Sequence, residues 1–307
     1  MPEAIATQGL TRQFGGGHGV FDLDLSVPAG MVYGFLGPNG AGKTTTIRLL
    51  LGLLKPERGS LQVFGETLAP KQRNALARIG SLVESPALYP HLTGRQNLEV
   101  TRRLLAIDRG RIDEVLEITG MRDAADRRVR EYSLGMKQRL AISLALLNAP
   151  RLLILDEPAN GLDPSGILDM RRLLRRLAQD GITVFVSSHQ LSEVEQFATH
   201  VGVLHAGRLR FQGTLDSLRA RHAAHLHLRC DDALRAAQLL MSVGETVGDA
   251  GLDTLSVKLR QRSAGQINKL LVEAGITVSH LAREQMSLED LFFDMTRIDT
   301  TRAEAAA

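Results

Sequence analysis

The sequence contains one cysteine, no tryptophan and no long hydrophobic run. The lone Cys230 excludes an intrachain disulfide and a cysteine-based zinc cage, and it fits a reducing compartment. The longest apolar stretches, Leu49–Leu54 and Leu140–Leu147, are far shorter than the roughly 18–20 residues that a membrane span needs. The N-terminus also lacks the pattern of a secretory signal. We therefore expect a soluble, cytosolic chain that reaches a membrane only through a partner.

The charge of the chain gives little reason to expect a nucleic-acid partner. It has 37 basic and 34 acidic residues, which leaves a net charge of +3. Such a small excess does not predict a polyanion-binding surface. The arginines at positions 171, 172, 175 and 176 have the spacing of a solvated helix face. A length of 307 residues suits one large domain or two unequal ones.

Strands and helices alternate along most of the chain, which predicts an α/β fold with a mostly parallel sheet. Met31–Leu36, Leu152–Leu155 and Ile182–Ser187 are short and apolar, as buried strands are. A helix is expected over Thr44–Leu54, with stop signals near Gly52 and Pro56, and another after Asp163, a plausible N-cap followed by proline.

The remaining segments predict three further parts. Residues up to Val27 alternate in hydropathy and predict an antiparallel sheet, while residues of about 90–150 are largely helical from a capping box at Thr93. A polar link at Arg219–Ala224 predicts a first domain over residues 1–220 and a small C-terminal α/β domain over 221–307. In that second domain, strands are expected at 226–230, 254–259 and 276–281, helices at 233–241 and 266–274, and a short helix capped by Ser287.

A glycine-rich turn between a predicted strand and a predicted helix has the pattern G-x-x-x-x-G-K-[ST]. Its glycines allow backbone N–H groups to surround a phosphate, and the helix N-terminus adds a positive dipole. Lys43 supplies a charge to the β- and γ-phosphates, and the hydroxyl of Thr44 can ligate Mg²⁺. The predicted nucleotide-binding residues here are Gly37, Pro38, Asn39, Gly40, Ala41, Gly42, Lys43, Thr44 and Thr45.

Two carboxylates, Asp156 and Glu157, follow the apolar strand Leu152–Leu155. The strand places them at the carboxyl edge of the sheet, where sites of α/β proteins form. Asp156 is suited to hold Mg²⁺, and Glu157 is suited to polarise an attacking water. Without the phosphate loop, two acids after a strand would more often mark a turn and a helix start.

With these motifs in place, residues of about 4–220 resemble the nucleotide-binding subunit of ATP-binding-cassette (ABC) transporters. Tyr132–Arg139 aligns with the signature motif, whose usual form is Leu-Ser-Gly-Gly-Gln. Asn160–Asp163 aligns with the D-loop, and Ser188-His189 aligns with the switch-histidine segment. Phe14 takes the place of the aromatic residue that stacks on adenine.

The resemblance implies a P-loop NTPase (RecA-like) core with an antiparallel β subdomain and a helical signature subdomain. It implies ATP and Mg²⁺ as cofactors, Glu157 and His189 as catalytic residues, and a metal site of Thr44, Asp156 and Glu84. It also implies a head-to-tail pair of cassettes, with Ser133, Gly135 and Asp163 facing the partner. That partner is a second copy or a related cassette. The pair would drive separately encoded integral membrane permease subunits from the cytoplasmic face of the cell membrane, with no nucleic acid involved.

Two departures point to one branch of the family. Leu134 and Met136 replace the usual glycine and glutamine of the signature motif, and Glu84 stands where the Q-loop has glutamine. Both resemble the branch that serves drug, bacteriocin and peptide-antibiotic exporters, as does the C-terminal segment Ser287–Phe293. The implied function is an ATPase subunit that powers an exporter of a drug, peptide or lipid-like substrate.

Several simpler interpretations of single residues stay open at this point. Phe14 could belong to the core, and His189 could be a structural histidine. Ser133, with Gly135, and Asp163 could do no more than cap their helices.

Other functions also stay open. The cassette alone does not distinguish export from import. Translation factors of the family carry two cassettes, whereas this chain has one phosphate loop. DNA-repair members have a long coiled-coil arm, whereas Lys43 and Ser133 lie only 90 positions apart without sustained heptads. A sensing module without turnover would not need Glu157 and His189.

Overall fold

The computed structural model describes residues 2–68, 74–84, 86–220, 225–259 and 262–284. The chain divides into two units, Met1–Leu215 and Asp216–Ala307. The strands of the first unit are β1 (Glu3–Gln13), β2 (Gly19–Leu23), β3 (Ser26–Pro28), β4 (Val32–Leu36), β5 (Arg58–Val63), β6 (Glu66–Thr67), β7 (Ile79–Leu82), β8 (Leu152–Asp156), β9 (Thr183–Ser188), β10 (His200–His205) and β11 (Arg208–Thr214). The helices of the first unit are α1 (Lys43–Leu50), α2 (Gly94–Leu104), α3 (Gly110–Ile118), α4 (Leu134–Leu146), α5 (Pro164–Gln179) and α6 (Leu191–Val194), and α7 (Leu215–Ala220) begins at the last residue of that unit.

A six-stranded sheet forms the centre of the first unit, in the order β11-β10-β4-β9-β8-β7. The pairings from β10 to β7 are parallel, and only the edge strand β11 is antiparallel. Every residue of β4, β8 and β9 is buried, which explains their nearly continuous apolar sequences. The predicted parallel sheet is confirmed, and the carboxyl ends of β4, β8 and β9 meet at one edge.

The predicted N-terminal antiparallel strands form a sheet of their own in the order β2-β1-β5-β6, with β3 paired to β1. Strands β5 and β6 join it after α1, which the sequence analysis did not predict. Helix α1 shares one core with this sheet and with β4, β8 and β9. It ends at Leu50, before the predicted Leu54, and the chain turns at Gly52, one of the two predicted stops, where φ is +65°.

Helices α2, α3 and α4 account for most of the helical region predicted for residues 90–150. The capping box at Thr93 is present: the Thr93 side chain accepts a hydrogen bond from the Gln96 N–H, and the Gln96 side chain accepts one from the Thr93 N–H. Asp163 caps α5, with proline in the first helical turn, as predicted.

The second unit contains a four-stranded antiparallel sheet in the order β13-β14-β12-β15. Its elements after α7 are β12 (His225–Cys230), α8 (Ala233–Ser242), β13 (Thr246–Ala250), β14 (Thr254–Lys258), α9 (Ala264–Glu273) and β15 (Val278–Glu284). The order βαββαβ is that of ferredoxin-like folds. Strand β13 was not predicted, and the last strand begins at Val278 rather than at Ile276.

Some predictions fall outside the described residues. These are the helix capped by Ser287, the segment Ser287–Phe293 and part of the predicted link at Arg219–Ala224. Within the described ranges, none of the helices combines the length and apolar character that crossing a bilayer requires.

Candidate nucleotide-binding site

The predicted phosphate loop connects the end of β4 to the start of α1. Gly40 and Gly42 have φ of +80° and +106°, a region that side-chain-bearing residues rarely adopt. A Cβ added to Gly37 would lie 2.4 Å from the Leu204 carbonyl oxygen, so this close approach also requires glycine. The first N–H groups of α1 have no partner within the helix, and with the helix dipole they make this loop suited to bind an anion.

Lys43 places its ammonium group inside the loop. Its Nζ donates hydrogen bonds to the carbonyl oxygens of Gly37 at 2.8 Å and Pro38 at 3.3 Å. It also lies 3.3 Å from a carboxylate oxygen of Glu157. The side chain is only 7% exposed, so little water screens its charge. The loop, the lysine and the end of β8 therefore form one electrostatic unit.

Two oxygen-bearing side chains meet beside this lysine. The Thr44 hydroxyl donates a hydrogen bond to an Asp156 carboxylate oxygen at 3.0 Å. Hydroxyl and carboxylate oxygens are hard ligands of the kind that Mg²⁺ prefers, and α1 and β8 bring them together. The chemistry of this donor set fits the magnesium ion that the resemblance implies.

A third residue, Ser187, contacts Asp156 as well, and it was not predicted from the sequence. Its hydroxyl donates to the second oxygen of Asp156 and accepts a hydrogen bond from the Glu157 N–H at 3.0 Å. The parallel register places Asp156 beside Ser187, so the position could have been inferred from the alignment of β8 and β9. The serine fixes the orientation of the carboxylate and of the peptide that follows it.

Glu157 lies between a cation and an imidazole. One carboxylate oxygen faces Lys43, and the other lies 2.8 Å from His189 Nδ1. Glu157 has φ of +50°, an uncommon conformation for a residue with a side chain. The side chains of Glu157 and His189 are 23% and 33% exposed, so water can reach both. This arrangement can hold a water molecule and accept its proton.

An open cleft lies over these groups. Its described lining consists of Phe14, His18, Gly19, Pro38, Asn39, Gly40, Gly42, Lys43, Thr44, Thr45 and Glu157. Phe14 follows β1, is 40% exposed and lies beneath the Arg12 guanidinium, 5.3 Å from the ring centroid. The interpretation of Phe14 as a core residue is therefore wrong. Ala41 and Gly37 are buried behind the loop, and the sequence analysis did not anticipate His18 or Gly19.

Ser133, Gly135 and Asp163 are absent from the described lining of this cleft. The Ser133 hydroxyl caps α4 by accepting a hydrogen bond from the Met136 N–H at 3.3 Å. The Asp163 carboxylate caps α5 by accepting one from the Gly166 N–H at 3.0 Å. The helix-cap interpretations are therefore observed, and any role at a second cassette would come in addition.

The signature and D-loop segments contact each other within the chain. Leu134 is 44% exposed, and its Cδ2 would lie 3.1 Å from a Cβ added to Gly161. The Cδ2 of Leu162 would likewise lie 3.7 Å from a Cβ added to Gly135. The two segments that the resemblance assigns to the partner-facing surface thus pack side by side.

Glu84 lies outside the described lining of the cleft. It follows β7 with φ of +61°, and its carboxylate pairs with the guanidinium of Arg48 on α1. The role of Glu84 at the metal stays a prediction, and its pairing with Arg48 was not predicted from the sequence.

Comparison with known proteins identifies the family. The ABC transporter family profile matches residues 20–160. The bacitracin transport ATP-binding protein BcrA of Bacillus licheniformis is 45% identical over 95% of this chain and 97% of its own length. The chain belongs to the ABC transporter family.

Other relatives and structures agree with this assignment. A daunorubicin resistance ATP-binding protein of Streptomyces coeruleorubidus is 37% identical and covers 99% of both chains. A lantibiotic transport ATP-binding protein of Streptococcus pyogenes is 38% identical over 69% of this chain and 91% of its own. The structure of cbiO1 from Clostridium perfringens, part of an ABC transporter complex, matches with a TM-score of 0.66 and 26% identity, over 72% of this chain and 92% of that one. The chain is therefore an ATP-binding subunit of the ABC type, from the branch with drug and peptide-antibiotic relatives, as predicted.

Proposed function

We propose that this chain binds and hydrolyses MgATP to drive a separately encoded membrane exporter of a drug, peptide or lipid-like substrate. The observation that carries the proposal is that Glu157 contacts both Lys43 and His189 beside the Thr44–Asp156 pair. The names of the bacitracin, lantibiotic and daunorubicin relatives support the substrate class. Work of this kind would place the chain at the cytoplasmic face of the cell membrane.

Binding follows from the loop and from Phe14. The N–H groups of the loop and the Lys43 ammonium hold the β- and γ-phosphates, since each supplies positive charge inside a partly closed turn. The exposed ring of Phe14 offers a face on which adenine stacks. Thr44 and Asp156 hold Mg²⁺, which neutralises charge on the phosphates when it is bound.

Hydrolysis requires Glu157 and His189. The Glu157 carboxylate orients a water molecule and takes its proton as the water oxygen bonds to the γ-phosphorus. The bond between that phosphorus and the bridging oxygen breaks, and ADP and phosphate leave. His189 holds the carboxylate through Nδ1 and directs its ring toward the γ-phosphate.

A second cassette completes the site in this proposal. Ser133 and Gly135 at the start of α4 bring a helix N-terminus, which stabilises negative charge. Facing the γ-phosphate of an opposing chain, that N-terminus would make ATP the link between two cassettes, with Asp163 near the interface. Loss of the γ-phosphate would open the pair and move the membrane partner.

Glu157→Gln tests the proposal, because it keeps the shape of the side chain and removes the proton acceptor. We expect normal MgATP affinity by calorimetry, a fall in ATP hydrolysis of roughly 10²–10⁴-fold, and a dimer on size-exclusion chromatography with ATP. Adding Ser133→Arg should return the protein to a monomer. Glu117→Gln, a change of the same type at an exposed residue of α3, is the matched control.

Three outcomes would each contradict a part of the proposal. Hydrolysis by Glu157→Gln at the rate of the control would remove Glu157 from the mechanism. A Glu157→Gln protein that stays monomeric at high concentration would argue for pairing with a different cassette. In the same assay Lys43→Ala should lose useful ATP affinity, and retained affinity would overturn the site itself.

A further inference from the structure

An ion pair joins the first helix of the site to the loop after β7. The Glu84 carboxylate accepts a hydrogen bond from the Arg48 guanidinium. The side chains of Arg48 and Glu84 are 44% and 60% exposed. An ion pair this exposed contributes little to the free energy of folding. A larger effect is expected on the charge balance of the neighbouring groups.

The pair lies next to the proposed metal position. Arg48 comes four residues after Thr44 in α1, so the two side chains share one face of the helix. Strand β7 pairs with β8, with Leu82 beside Leu155, so Glu84 leaves the sheet next to Asp156 and Glu157. The helix face and the sheet edge therefore bring Arg48 and Glu84 to the side of the site where Thr44 meets Asp156.

Helix α1 supplies one partner for each acid at this edge. Lys43 faces Glu157, Thr44 donates to Asp156, and Arg48 pairs with Glu84. Three carboxylates at one edge of a sheet would repel one another without such partners. A glutamine at position 84 would be neutral, whereas Glu84 adds one negative charge. Arg48 offsets that charge.

The backbone conformation of Glu84 indicates that contacts hold this residue in place. Its φ of +61° is uncommon for a residue with a side chain and is maintained only where contacts support it. Among the described contacts of the Glu84 side chain, the pairing with Arg48 is the one that fixes its direction, toward α1.

We propose that Arg48 is a positioning residue that holds Glu84 against α1 and offsets its charge, so that Mg²⁺ at Thr44 and Asp156 meets one uncompensated carboxylate instead of two. The proposal rests on the proposed binding of MgATP. It explains how an acid can replace an amide at position 84 without adding a metal ligand. Without Arg48, Glu84 would be free to turn toward the metal and to repel ATP that carries no metal.

A double-mutant cycle measures this dependence. The readout is the ratio of the Kd for ATP in EDTA to the Kd for ATP in excess Mg²⁺, from calorimetry on the full-length chain. Arg48→Met should raise this ratio roughly fivefold, because one uncompensated charge then acts on the metal and the phosphates in a partly hydrated site. Glu84→Gln should lower the ratio far more in the Arg48→Met background than in the wild type.

The control is an exposed pair of the same chemistry in the helical region. Arg122 and Glu117 are 3.0 Å apart and 66% and 67% exposed, and Arg122→Met and Glu117→Gln make the same charge changes. Both should leave the ratio within twofold of the wild type.

Each result decides a different question. Equal effects of Glu84→Gln in both backgrounds, or no effect of Arg48→Met beyond that of the control, would overturn the role of Arg48 while MgATP binding stands. A wild-type chain that binds neither form of ATP would instead overturn the proposed function.

Discussion

Removal of one hydroxyl group from the centre of the first unit should stabilise the protein. Tyr33 in β4 is 1% exposed and stacks on Phe185, with ring centroids 5.6 Å apart and planes inclined by 6°. Its hydroxyl has no hydrogen-bond partner among the described residues. Burial raises the pKa of Tyr33 far above its usual value, so the group stays neutral. We predict that Tyr33→Phe increases the free energy of unfolding.

The size of the gain follows from two opposing terms. A buried hydroxyl without a partner costs about 1–3 kcal/mol, and the phenylalanine removes this cost. The missing oxygen leaves a void of about 10 Å³, which at about 24 cal/mol per Å³ costs about 0.2 kcal/mol. The net gain should be about 1–3 kcal/mol, or about 2–12 °C in Tm for a unit of this size.

Gly202 provides an independent check on the same hydroxyl. A Cβ added there would lie 2.4 Å from the Tyr33 hydroxyl oxygen, while the nearest ring carbon is 3.1 Å away. Gly202→Ala should therefore destabilise the wild type by about 1–3 kcal/mol, since the rigid ring cannot move aside. In the Tyr33→Phe background the cost should be at least about 1 kcal/mol smaller, which is the coupling expected for direct neighbours.

Differential scanning calorimetry of the four proteins is the assay. The transition of the first unit is the one that MgATP shifts to higher temperature, because a ligand stabilises the unit that binds it. A loss of more than about 1 kcal/mol on Tyr33→Phe would show that the hydroxyl is satisfied, for example by a buried water, and would refute the reasoning. Additive effects of Tyr33→Phe and Gly202→Ala would show that the Tyr33 hydroxyl does not clash with a Cβ at position 202.

Two further predictions concern the second unit. Cys230 is 2% exposed, and burial raises the pKa of its thiol. Iodoacetamide at pH 8 should therefore alkylate it at least about 100-fold more slowly in the native chain than in urea. Labelling at the urea rate would show that the second unit opens readily. A chain ended after Ala220 should keep its Kd for MgATP within about threefold by calorimetry, because few contacts cross a domain linker, whereas loss of binding would show that both units are needed for one fold.

Strands buried on both faces were the easiest elements to predict. Strands β4, β8 and β9 have largely apolar sequences because both faces of this sheet are covered, one of them by α1 and the N-terminal antiparallel sheet. Strand β5 was missed because four of its six residues are exposed and polar or glycine. The apolar pattern extended the predicted α1 to Leu54, whereas the helix ends at Leu50, just before the predicted stop at Gly52.

The site was predictable where its chemistry is local in sequence. The phosphate loop and the Asp156–Glu157 pair are short motifs at the ends of recognisable strands. Ser187 and Arg48 were missed because their partners, Asp156 and Glu84, are 31 and 36 positions away. Only the strand register and the face of α1 bring these residues to the same edge.

The two unusual residues of the signature segment have different physical consequences. Leu134 fits beside the D-loop because Gly161 has no Cβ, and the φ of +75° at Gly161 suits a glycine. A leucine at one position is thus accommodated by a glycine at the other. Met136 takes part in the cap of α4 through its backbone N–H, which any residue except proline could supply. The start of α4 therefore does not depend on the glutamine side chain that this position usually carries, and the helix N-terminus remains available to an anion.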